Sequence, residues 1–152
     1  MALAKLTQEN LPLFAARIAK LTAETKPNWG TLTAARMLAH LRTIIEMSLE
    51  ERAFEDRSSW FTRNVMRVVA FHVLPSWPKG GVKAPGEFTP ETQATFDDER
   101  AQCLAAFERF TRAAAAQPAR KTSHALFGPL TLDYWTFMHA RHFEHHFQQF
   151  GI

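Results

Sequence analysis

Apolar positions recur at helical spacing along most of the chain and divide it into five segments. From about Gln8 to Glu24, Leu11, Phe14, Ile18 and Leu21 share one face, with Thr7 as the N-cap. Lys26-Pro27-Asn28-Trp29-Gly30 ends that run. The second segment follows Thr31-Leu32-Thr33 and reaches about Glu51, with a stripe of Met37, Leu41, Ile44 and Ser48 broadened by Leu38 and Ile45. The third, about Ser59 to Leu74, is apolar around much of its circumference, so it is expected to pack along the core until Pro75 stops it. Thr89-Pro90-Glu91 reads as the start of the fourth: a capping side chain, proline in the first turn and an acid beside it, with the helix running to about Gln117. Thr131 caps the last, Leu132 to Gln149, which Gly151 closes.

Two connections interrupt this pattern. Pro75 to Phe88 holds three prolines and three glycines, and a loop of that length inside a compact domain points to a functional or covering role. The second runs from Pro118 to Leu130 and contains Phe127-Gly128-Pro129. Neither shows strand-period alternation, and no internal repeat is present. The expectation is one all-α domain over residues 1–152, a four-helix bundle with one additional shorter helix and a crossover connection.

Composition narrows the classes. An apolar fraction of 46% with 22% charged residues belongs to an ordinary folded chain. The net charge of +3 comes from 18 basic and 15 acidic residues with no basic run, so no nucleic-acid partner is expected. The longest apolar stretch, Val65 to Leu74, is broken by Arg67 and His72 and is too short to span a bilayer. Met1 to Thr7 lacks the apolar run of a signal peptide, which makes a cytoplasmic location the expectation. Cys103 stands alone, which excludes an internal disulfide and a cysteine-rich zinc site, and Leu104, Ala105, Ala106 and Phe107 beside it suggest a small buried hydrophobe.

The candidate chemistry lies in the histidines: His40, His72, His124, His139, His142, His145 and His146. Four fall in the last helix. At about 100° per residue, His142 and His146 lie one turn apart on one face, His139 joins them at i−3, and His145 points roughly a quarter turn away. Such an i, i+4 pair can place two imidazole nitrogens about 3 Å apart around one ion. A third ligand must come from elsewhere, and His40, at the edge of the second helix's apolar stripe, faces the interior and needs a partner. Spacing alone leaves a packed, hydrogen-bonded histidine face equally open, and protonated histidine near a helix C-terminus is itself mildly stabilising.

Trp29 to His40, Phe127 to Trp135, and His142-Phe143-Glu144-His145-His146 through Gly151 together resemble the DinB-like (YfiT-like) superfamily of metal-dependent hydrolases. With Leu74 to Pro85 included, the chain is more closely similar to a branch of it known only as a domain of unknown function, and the likeness covers nearly the whole chain. The resemblance implies a DinB-like bundle in which His40, His142 and His146 hold a divalent ion, zinc or nickel. His139 and His124 are candidates for a fourth ligand or for the pocket wall. His72 reads as structural, Glu144 as a solvated residue on another face, and Trp135, Phe143 and Phe150 as core.

Three protein ligands leave an open coordination position of the kind metal enzymes use. One expectation is hydrolysis by an ion that lowers the pKa of bound water. The favoured one is S-transfer, in which the ion holds a low-molecular-weight thiol as thiolate; the resemblance points this way, and no carboxylate is convincingly placed as a hydrolytic base. A non-catalytic bundle that binds metal or a small ligand is the competing class, and a shell closed by His139 or His124 would favour it. The expected partners are a small-molecule substrate and a second copy of the chain. Dimers are common in the superfamily, and the apolar surface of Phe61 to Leu74 exceeds what one short helix needs.

Overall fold

The computed structural model describes residues 5–80 and 86–152; Gly81 to Pro85 of the predicted long loop lie outside the described residues, as do the first four. The chain is mostly helical. Helix α1 spans Leu11–Ile18, α2 Ala34–Ser48, α3 Phe96–Ala116 and α4 Leu132–Phe150. Two π-helical turns, Thr62–Met66 and Val69–Val73, make a helical rod over 60–73. A 3-10 turn follows at Gly86–Phe88.

The start of α2 and both bounds of α4 are met almost to the residue, while α2 ends at Ser48, short of Glu51. The Thr33 hydroxyl accepts from the Arg36 N–H and starts α2. Thr131 does the same for Tyr134 in α4, and Gly151, at φ +69°, ends it. Helix α1 is shorter than Gln8–Glu24. Thr7 caps only a turn, Pro12 opens the helix, and beyond Ile18 the Thr25 hydroxyl takes the Thr22 N–H, a local alternative to helix continuation.

Three expectations are corrected. Helix α3 starts at Phe96, not Thr89, because Thr95 and Asp98 form a reciprocal capping box with Asp97, Asp98 and Glu99 in the first turn. The fold is not purely α. Lys121–His124 (β1) and Gly128–Thr131 (β2) pair antiparallel, with Lys121 opposite Thr131 and His124 opposite Gly128. Inward Thr122 and Leu130 alternate there with exposed neighbours over only four residues per strand, too short a run to register as a period. The third correction concerns the rod 60–73, which does not line the core: among its residues only Phe71 is buried.

The core lies where α2, α3 and α4 meet, with α1 against α3. Phe107 and Phe143 stack at 4.6 Å between centroids, Phe14 packs edge-on against Phe143, and Met37, Leu41, Phe110 and Phe147 fill around them. Buried polar contacts also cross this interior. Glu99, 1% exposed, receives both Nε and Nη2 of Arg42 at 3.1 and 3.2 Å and the Thr92 hydroxyl as well, which ties α2 to the first turn of α3. No helix among the described residues is long and apolar enough to cross a membrane.

Candidate metal centre

Packing α2 against α4 brings His40 opposite His142 and His146. Their ring centroids lie 4.8 and 4.9 Å from that of His40, and one nitrogen from each of the three rings falls within 4.8 Å of the others. The His142 Nε2 sits 2.9 Å from His40 Nε2 and 3.1 Å from His146 Nε2. His40 and His146 are 4% and 8% exposed, while His142 is only partly buried, so the cluster opens on the His142 side.

The outer nitrogens fix the tautomers. His40 Nδ1 faces the Phe88 carbonyl, which can only accept, so Nδ1 carries the proton and Nε2 keeps its lone pair. His146 Nδ1 lies 2.8 Å from Gln149 Oε1, and the Gln149 amide nitrogen donates to the Trp29 carbonyl at 2.8 Å, so Nδ1 is again the donor. Close approach of Gln149 depends on Gly30: at φ +79°, a Cβ there would meet the Gln149 amide nitrogen at 2.9 Å. The Asn28 N–H donates to the Gln149 carbonyl, pinning the same turn to the end of α4.

Burial keeps the rings neutral. It pushes His40 down to about 4 against the pull of the Phe88 hydrogen bond, and His146 down to about 3 with His40 adding to the effect. Burial and then the neighbouring histidines hold His142 well below the ordinary histidine range.

Hydrogen bonds alone leave this cluster unsatisfied. Two lone pairs, on His40 and His146, converge on His142 Nε2, and a neutral His142 has at most one proton there to offer. A single cation on the three nitrogens would satisfy all of them. A tetrahedral ion with bonds of 2.0–2.1 Å sets its ligand nitrogens about 3.3 Å apart, against 2.9 and 3.1 Å for the two pairs that include His142, with all three rings' nitrogens within 4.8 Å. Outer-shell acceptors on Nδ1, of the kind metal-bound histidines use, are in place for two of the three rings.

The other candidates have different partners. His139 is fully buried, its Nε2 3.0 Å from the Ser48 hydroxyl, which donates onward to the Ile45 carbonyl; its ring stacks on Trp135 and meets Phe110 edge-on. His124 Nδ1 accepts the Leu126 and Phe127 N–H groups, closing the hairpin turn, while its ring stacks on Phe127. His145 lies off the cluster between Trp29 and Trp77. His72 bonds Tyr134 and stacks on Phe137, a structural role, and Trp135, Phe143, Phe150 and Cys103 are core. Glu144 is not solvated: it pairs with Arg17 and bridges α4 to α1. A small cleft lined by Met47, Phe54, Phe88, His124 and Trp135 includes none of the three clustered histidines.

Sequence reasoning missed the residues that set up the cluster. Gln149 carried a signal, since it lies at i+3 from His146. Phe88 acts through its carbonyl, which leaves no mark in sequence. Trp77 walls the open side, its ring 5.8 Å from that of His142 and its Nε1 anchored on the Ala70 carbonyl.

The chain belongs to the family described as Protein of unknown function (DUF1569), whose model matches residues 1–151. No curated protein and no solved structure matches it.

Proposed function

We propose that this member of the family is a metal-dependent enzyme that holds one divalent ion, zinc or nickel, on the Nε2 atoms of His40, His142 and His146, within a helical bundle of DinB-like type. One observation carries the reading: two tautomer-fixed lone pairs, on His40 and His146, both face His142 Nε2, which has at most one proton to offer them. When bound, the ion supplies Lewis acidity, which stabilises a thiol as thiolate or lowers the pKa of water.

The protein's own residues favour the thiol. No carboxylate joins the histidine group among the described residues, and the nearest in sequence, Glu144, is held by Arg17. A hydrolase gains from a base that takes the proton of water, whereas a thiol ionises readily once its thiolate is stabilised. His40 and His146 orient the site through Phe88 and Gln149, and His142 under Trp77 forms the side a small substrate approaches. S-transfer from a low-molecular-weight thiol to a small electrophile is therefore the reaction class we assign.

Metal affinity by isothermal titration tests the ligand set. The His40→Ala and His146→Ala variants should lose more than the roughly 10–100-fold that an outer-shell partner contributes, while His145→Ala should bind as the parent does. Equal zinc and nickel binding by all four proteins would place the metal elsewhere. Conjugation of simple thiols to a chromogenic electrophile by the metal-loaded protein then separates transferase from hydrolase.

A further inference from the structure

The cleft between α2 and the β1–β2 hairpin is walled by Ile44, Met47, Phe54, Phe88 and Ala125, so most of its surface is apolar. Trp135 and His124 complete the lining with two ring N–H groups. Trp135 is 2% exposed, and its buried indole Nε1–H meets no acceptor among the described residues. His124 Nδ1 accepts the Leu126 and Phe127 N–H groups, so the ring proton sits on Nε2, which likewise meets no acceptor among them. The two rings are neighbours, with centroids 5.1 Å apart. A buried donor without an acceptor is destabilising, and native proteins leave few of them.

We propose that this cleft binds the carbonyl end of a small, neutral, apolar ketone, whose oxygen accepts from Trp135 Nε1 and His124 Nε2. Size, polarity and charge select that occupant. The cavity measures about 20 Å³, above the roughly 10–15 Å³ that one water-sized group needs. It opens to solvent, so a single oxygen-bearing end enters while the body of the molecule rests at the mouth beside partly exposed Phe54. A water there would bring two hydrogens of its own, for which the lining side chains offer one oxygen, the Ser123 hydroxyl. A carbonyl brings two lone pairs and no hydrogen. No charged side chain lines the cleft, and burial holds His124 neutral, at about 4, so a carboxylate would be desolvated without a counter-ion.

Phe88 joins this cleft to the histidine cluster. Its side chain packs with Met47 and Ala125, while its carbonyl faces His40 Nδ1. Binding in the cleft nonetheless depends on no metal, because neither donor belongs to the group of His40, His142 and His146.

Each of the 4 tryptophans gives one indole N–H signal in a nitrogen–proton correlation spectrum, and Trp135→Phe identifies the one to follow. In the whole chain, with or without zinc, cyclohexanone should move that signal downfield and saturate it, with a dissociation constant on the order of 1 mM. Methylenecyclohexane, which has the same shape without the oxygen, should leave the signal where it is. Ala125→Leu fills the cleft and spares both donors, so it should abolish the response while circular dichroism shows the fold retained. Ile44→Phe, at a less buried position of the wall, should do the same. A signal that ignores the ketone, one that responds equally to the hydrocarbon, or one that still responds in both filled variants overturns the proposal. So does a stronger response to cyclohexanecarboxylate, which would make the cleft an anion site.

Discussion

Acidification of the metal-free protein should unfold it in a narrow window between pH 6 and 4.5, driven by buried histidines. Burial pushes His139 to about 3, with His124 adding to it, and His124 itself to about 4. His40 and His146 are driven to about 4 and 3. In the unfolded chain each returns to the ordinary value near 6.5. The folded values are depressed, so below pH 6.5 the unfolded state binds protons that the native state refuses. The stability tied to neutral rings is complete above that pH and drains away as pH falls towards the folded values. At pH 5 the loss is roughly 2 kcal/mol per histidine, on the order of 8 kcal/mol for the four. That is comparable with the whole stability of a typical domain, about 5–15 kcal/mol. Urea titrations followed by tryptophan fluorescence at half-unit pH steps give the slope directly, and it should reach at least about four protons taken up on unfolding near pH 5, since His142 is held down by burial as well. Stoichiometric zinc should move the midpoint to lower pH, since an ion on His40, His142 and His146 competes with protons at those rings. A free energy of unfolding that stays flat from pH 7 to 5 would refute the reasoning, because these rings would then be hydrated or already paired with charge.

Two further outcomes follow from single contacts. Gln149→Leu keeps the volume but removes the acceptor on His146 Nδ1 and the bond to Trp29, so zinc affinity measured against a competing chelator should fall by roughly 10–100-fold with the fold retained. Glu99→Ala removes both bonds to the Arg42 Nε and Nη2, while Glu46 still pairs with Nη1, so chemical denaturation should show a loss of about 1–3 kcal/mol with metal affinity unchanged.

The parts of this molecule legible in its sequence are those encoded by local spacing. His142 and His146 share a face because a helix repeats every 3.6 residues, and α4 is bounded by its own cap and glycine, so two of the three clustered histidines are fixed by nineteen consecutive residues. His40 joins because its stripe has one direction in which to bury. The errors arise where two local signals compete or where the decisive partner is remote. Thr89-Pro90-Glu91 and Thr95 to Asp98 both resemble helix starts, and the reciprocal box at Thr95 wins by satisfying two backbone donors. The hairpin of β1 and β2 is held partly by His124 accepting turn N–H groups and by Thr122 bonding the Ser48 carbonyl of α2, neither of which produces a hydrophobic period. The rod 60–73 is the instructive case. Its apolar content announces burial, yet only Phe71 of its residues is buried, packed edge-on against Trp77, Phe127 and Phe137. An apolar run with helical spacing therefore predicts a helix without fixing which of its side chains reach the core.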